Sequence, residues 1–152
     1  MEPLTAKALR GMGARPAFLA VDPGATCGTG CYGVGQPNEC AASSRALGDL
    51  TAWLSHFLLD HHLVGFVVCE NYTQTGRHAE AKMSAPQGIG ICRAVCEIAG
   101  LPLYLLPRGS KTAGRAALDA DGQDARSRCR NEHQRDIVDL IGFTLREMGR
   151  PA

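Results

Sequence analysis

The chain has 152 residues, the size of one domain and enough to bury a core without disulfides. Its net charge of +1 excludes a polybasic binder, and its longest apolar runs, broken by charge or glycine, are too short to span a bilayer. Seven cysteines, an odd number without a secretory leader, argue for reduced thiols in a cytosolic setting.

Met1 to Arg15 lacks the apolar centre of a signal peptide and is expected to be a flexible extension, leaving residues 16–150 as a single domain. Phe18 to Val21 then reads as a short buried strand, which Asp22-Pro23-Gly24 cannot continue. The strand therefore ends on a carboxylate, at the end of a strand where sheets build sites. Cys27 to Gly35, small and β-prone, predicts a strand turning back from the first. The turn Asp22-Pro23-Gly24-Ala25-Thr26 resembles the phosphate turn of actin-like and sugar-kinase ATPases. That reading ranks second, because a P-loop signature and a second Asp-containing glycine-rich turn are both missing. After a turn at Pro37-Asn38, Glu39 to Ala46 is expected as a third antiparallel strand.

From Leu47 to His62 the pattern is helical, with Leu47, Leu50, Leu54, Phe57 and Leu58 facing a core and Trp53 flanking them in an exposed-looking position. His56, His61 and His62 gather at its end, where imidazoles suit the helix dipole. Leu63 to Cys69 is a second strong strand, continuous in apolar residues, and it too ends on an acid, Glu70. Asn71 to His78 is polar. Tyr72, Arg77, His78 and Lys82 are residue types that contact nucleic acid, although Tyr72 would serve equally to cover the core edge.

A helix is predicted from Pro86 through Ala99 with Gly100 as its stop, and a fifth strand from Leu101 to Leu106. Ser110 to Leu118, carrying Lys111, reads as a short helix, and Asp119 to Arg130 as a flexible loop. Asn131 is a good N-cap for a last helix running to Met148. The cysteine pairs 27/31 and 92/96 have the spacing of zinc ligands, but a Gly/Thr-rich strand and the apolar face of a helix make them small buried hydrophobes. Arg108, Lys111, Arg115, Arg126, Arg128 and Arg130 make the segment before the last helix locally positive, either as a solvated face or as a path that brings a polyanion to a carboxylate-bearing helix. An early antiparallel group followed by strand, helix, strand and helix suits a mixed α/β sheet with helices packed on it.

Taken in order, Val21-Asp22-Pro23-Gly24, Glu70, Pro86-x-x-Ile89-Gly90-x-x-Arg93, Leu101-Pro102, Pro107-x-x-x-Lys111 and Glu132-His133-x-x-Asp136 resemble the RuvC family of Holliday-junction resolvases, within the ribonuclease-H-like nucleases. Each motif is weak alone. The ordered set, from Phe18 to about Met148, is specific. The resemblance implies a five-stranded sheet, three strands antiparallel and then two parallel. It also implies a crossover junction endodeoxyribonuclease acting as a homodimer on four-way DNA junctions, with two Mg2+ or Mn2+ ions per site held by Asp22, Glu70, His133 and Asp136. Lys111 would neutralise the scissile phosphate or fix the attacking water. Tyr72, Arg77, Lys82, Arg108, Lys111, Arg115, Arg126, Arg128 and Arg130 are the expected DNA contacts, and the helix with Trp53 is the expected dimer interface. The N-terminal segment and the short arginine-rich stretch before His133 look more like compact phage-encoded relatives, working in a bacterial cytoplasm, than like the housekeeping enzyme. A non-catalytic nucleic-acid-binding module is the rival reading, but a pure binder has no reason to converge acids on a phosphate backbone.

On the last helix, His133 and Asp136, or Asp136 and Asp139, share a face at a spacing of three. At about 100° per residue, Ile137, Leu140, Ile141, Thr144, Leu145 and Met148 define the buried arc. His133 lies at its edge, Asp136 just beyond, and Asp139 roughly 60° further out. His133 and Asp136 are therefore the expected ligands, and Asp139 a surface acid paired with arginine.

Overall fold

The computed structural model describes residues 2–13, 16–72 and 83–152. β2 (Ala17–Asp22) is buried along its whole length, as a continuously apolar strand requires. It pairs antiparallel with β3 (Thr26–Tyr32), which pairs antiparallel with β4 (Cys40–Ala46). On its other side β2 runs parallel to β5 (Val64–Glu70), and β5 parallel to β6 (Leu103–Leu106). Helices α1 (Leu50–Asp60) and α2 (Ser84–Ala99) carry the chain between the later strands. The mixed sheet flanked by helices is thus as the sequence predicts, three strands antiparallel and two parallel.

It also has a sixth strand. β1 (Leu4–Thr5) pairs parallel with β6, and the 3-10 turn Ala6–Leu9 that follows buries Leu9 completely. Arg10 Nε donates to Glu147 Oε2 at 2.9 Å, and the Gly11 amide to the Arg150 carbonyl at 2.9 Å. The segment expected as a flexible extension is therefore tied to the domain. Two-residue pairing and one buried leucine are too short a pattern to give a periodic signal.

The pleat sends alternate residues to opposite layers. Phe18, Ala20, Phe66, Val68, Tyr104 and Leu106 pack under α5 (Glu132–Met148), while Leu19, Val21, Val67, Cys69 and Leu103 pack under α1 and α2. An aromatic row crosses the first face: Phe18 stacks on Tyr32 and Phe66 at 5.5 and 5.0 Å, and Phe66 meets Tyr104 edge-on at 5.1 Å. Cys27, Cys69, Cys92 and Cys96 are buried and all seven cysteines are free. Burial pushes the Cys40 and Cys96 thiols up to about 12, so they behave as neutral hydrophobes.

α3 (Ser110–Ala116) and α4 (Ala120–Ser127) cover the outer side of α5. The expected loop at 119–130 is therefore largely helix. Asp119 caps it, its carboxylate accepting from the Gly122 amide at 2.8 Å, and Ala125 is its buried contact. Three charged residues among eight leave α4 without an apolar period. α1 begins three residues later than expected, after a 3-10 turn at Leu47–Asp49. Trp53 is half-buried, with the Arg45 guanidinium 4.5 Å above its ring, rather than exposed.

Candidate active site

Asp22 and Glu70 reach one place because of the same alternation. Phe18, Ala20 and Asp22 share the α5 face of β2; Phe66, Val68 and Glu70 share it on β5. Val21 registers with Cys69, so the two acids emerge side by side at the parallel strand ends. Gly28 is the β3 partner of Asp22. A Cβ there would lie 2.5 Å from the His133 carbonyl oxygen and 2.8 Å from Ile137 Cγ1, so only glycine lets the start of α5 descend beside Asp22. Asn131 caps that start, accepting from the Gln134 amide at 3.0 Å. His133 and Asp136 are thereby carried to the strand ends.

The fourth group comes from the turn after β6. Gly109 takes φ +90°, which glycine tolerates, and the Ser110 hydroxyl donates to the Pro107 carbonyl, opening α3 at once. Lys111 stands in its first turn. Its Nζ lies 3.3 Å from Asp22 Oδ2, 3.1 Å from Glu70 Oε2 and 3.3 Å from Asp136 Oδ2. Three carboxylates from three separate elements therefore meet at one ammonium.

Three acids against one cation leave two uncompensated negative charges in a partly desolvated place. Burial, together with the neighbouring Glu70 and Asp136, raises Asp22 from 3.8 to about 7 despite the opposing pull of Lys111, and a hydrogen bond with Glu70 favours its protonated form. At about 1.4 kcal/mol per unit, the site disfavours ionised Asp22 by on the order of 4 kcal/mol relative to a solvated aspartate. Burial would lower Lys111, but the three acids win and hold it above its ordinary value. In the metal-free site the ammonium form is therefore favoured. Among the described residues no three His, Cys, Asp or Glu side chains are already arranged to hold a metal; the acids are gathered on the ammonium instead. The donor set nevertheless fits a hard divalent ion: carboxylate oxygens, excess negative charge, and His133 on the same wall.

These groups line a cleft of about 700 Å³, together with Tyr72 and Arg108. Glu132 and Thr112 line it as well and were not singled out from sequence; Glu132 directly precedes His133 in the matching motif, which was the available signal. The other expected DNA contacts disperse. Arg115 and Arg130 are exposed outside the cleft lining. Arg128 pairs with Asp124 at 3.0 Å beside a different groove, and Arg126 is committed to Asp139 at 3.0 Å. Arg77, His78 and Lys82 lie outside the described residues.

Asp139 is paired with an arginine, as expected, but it is buried, with 3% of its surface accessible. The amphipathic reading assumed one covered side. α5 is buried nearly all round from Ile137 to Thr144, because the sheet covers one side and α3 and α4 the other.

No family model and no curated protein sequence matches the chain. Among solved structures it is similar to Thermus thermophilus RuvC in complex with a Holliday junction substrate, with a TM-score of 0.67 and 16% identity over 88% of this chain and 94% of that one. A second Thermus thermophilus RuvC structure aligns with a TM-score of 0.61, again at 16% identity, over 86% of this chain and 93% of that one. The chain has the RuvC fold, a ribonuclease-H-like architecture.

Proposed function

We propose that the chain is a divalent-metal-dependent endonuclease that cuts branched DNA, with four-way junctions as its substrate. The observation that carries this reading is the convergence of Asp22, Glu70 and Asp136 on Lys111 at the ends of adjacent parallel strands. A purely binding surface would be repelled by such acids when it met a phosphate backbone. The fold supports the reading, and so does the Holliday junction substrate in complex with a structural neighbour.

Asp22, Glu70, Asp136 and His133 would hold Mg2+, or Mn2+, for which the imidazole is equally suitable. When bound, two such ions activate water for attack on phosphorus and stabilise the departing oxygen. Asp22, on the strand between β5 and β3, would be the central member of that set. Lys111 would offer its ammonium to the charge that develops on the phosphoryl oxygens. Arg108 and Tyr72 in the cleft lining would suit a phosphate and a splayed base. The active form is read as a homodimer, since a junction offers two equivalent strands and a two-fold protein two identical sites. Leu59 near the end of α1 and Leu63 in the turn beyond it, 70% and 78% exposed, support that end of the helix as the contact. Among the described residues no helix is long and apolar enough to cross a membrane. The cytoplasm, where thiols stay reduced, is the compartment that suits the seven free cysteines.

The test is incubation with end-labelled four-way junction, flap and duplex DNA in Mg2+, Mn2+ or EDTA, with light scattering on the same preparations. Metal-dependent cutting of the junction is expected, from a species of twice the chain mass. No metal-dependent nicking of any substrate, or turnover of ATP in its place, would overturn the reading.

A further inference from the structure

We propose that Gly114 is a positioning residue for Lys111, and that its bare crossing with α5 sets where the ammonium stands among the acids. The proposal rests on the reading of Lys111 given above. At the crossing no side chain separates the two helices. A Cβ on Gly114 would land on the Asp139 carbonyl oxygen and 2.8 Å from the Phe143 amide nitrogen. Gly142 answers from α5: its Cβ would lie 2.6 Å from Leu118 Cδ2 and 2.9 Å from the Gly114 carbonyl oxygen. Each glycine costs about 1 kcal/mol relative to alanine inside a helix, so the close approach needs this residue while the helix alone would not choose it.

The crossing lies one turn from the ion pair on both helices. Lys111 is three residues before Gly114, and Asp136 three before Asp139. The obstacles at Gly114 are backbone atoms, so alanine there must separate the helices by roughly an ångström or more to restore ordinary contact. α5 cannot yield easily, because Gly28 and Gly30 seat its other side against β3 and the sheet. The seven-residue α3 is the part that moves. Its displacement withdraws Nζ from Asp22, Glu70 and Asp136 together. The acids keep their mutual arrangement, since strand register and Gly28 set it.

A double-mutant cycle tests this, using single-turnover cleavage of a labelled four-way junction by the full chain and by Gly114→Ala, Lys111→Ala and the double variant. Gly114→Ala is expected to fold and, at enzyme concentrations that saturate the junction, to cut about 100-fold more slowly, the scale of a misplacement near an ångström. The double variant is expected to be no slower than Lys111→Ala alone. A second readout needs neither metal nor activity. The chain has three lysines, Lys7, Lys82 and Lys111, so reductive methylation in EDTA followed by peptide mass spectrometry reports each one. Lys111 should react faster, relative to exposed Lys7, in Gly114→Ala than in the parent. Should Gly114→Ala not fold, Gly142→Ala, whose nearest obstacle is the end of the Leu118 side chain, is expected to show the same non-additivity with a smaller loss. A folded Gly114→Ala at full speed, a further slowing of Lys111→Ala by the second change, or unchanged Lys111 labelling would overturn the proposal. A Lys111→Ala variant that cuts like the parent would instead overturn the role given to Lys111, and the labelling would still decide the geometry.

Discussion

Arg126 Nε lies 3.0 Å from the Asp139 carboxylate and ties that acid to α4, outside the cleft that Asp136 lines one turn earlier. The expectation that follows is a separation of roles between two aspartates on one helix. Asp139→Asn should retain most cleavage. Arg126→Ala should cost about 1–3 kcal/mol, because it leaves a buried carboxylate unpaired. Burial already raises Asp139 against the opposing effect of Arg126, so without the arginine the acid protonates more readily still. The loss measured by urea unfolding should therefore shrink as pH falls. If Asp139→Asn were as inactive as Asp136→Asn while folding normally, the assignment of ligands on α5 would be wrong.

Asp22→Asn, Glu70→Gln and Asp136→Asn are each expected to abolish cutting while keeping the fold. His133→Ala should slow it at least about tenfold, 1.4 kcal/mol of barrier, and change the ratio of Mn2+ to Mg2+ activity. Junction cleavage across a metal series, with circular dichroism as the check on folding, measures both. An unchanged metal ratio would remove His133 from the ligand set.

The raised Asp22 makes opposite statements about stability and activity. The unfolded chain releases this proton near the ordinary 3.8 and the metal-free native state only near 7. Between those values the native state binds the extra proton, so this group's contribution to stability falls as pH rises. Asp22→Asn removes the penalty. In EDTA at pH 8 the variant should melt several degrees above the parent, at about 2–4 °C per kcal/mol, and the difference should vanish below about pH 4. Cleavage by the parent should rise with pH toward 7, with a midpoint that moves down as Mg2+ increases, since the metal competes with the proton. A midpoint independent of Mg2+ would count against Asp22 as a ligand.

The N-terminal segment should behave as core. Leu9→Ala is expected to cost about 2–5 kcal/mol, the range for a fully buried leucine. Arg10→Ala should cost less, about 1 kcal/mol, because Arg150 Nη1 still holds Glu147 at 3.0 Å. Chemical denaturation of both decides it; a neutral Leu9→Ala would return the segment to the status of a loose extension.

What the residues determined by themselves is local. Phe18 to Asp22 and Leu63 to Glu70 announce buried strands that end on acids, because an unbroken apolar run needs cover on both faces and Pro23 stops the first. Asn131 announces where the last helix starts, because its side chain satisfies an orphan amide. With the pleat period of two, those facts placed Asp22, Glu70, His133 and Asp136 at element ends, and the ordered motifs suggested that they meet. Only the tertiary structure decided what covers the far side of α5. A helical wheel distinguishes a face from its opposite but cannot say whether the polar side meets water or a second layer, so Asp139 was assigned to the surface although it is buried against a half-buried Arg126. The packing of residues 4–10 and the backbone crossing at Gly114 were illegible for the same reason: Leu4 pairs with Tyr104 and Gly114 meets Asp139, and nothing in short-range periodicity records partners so far apart in the chain.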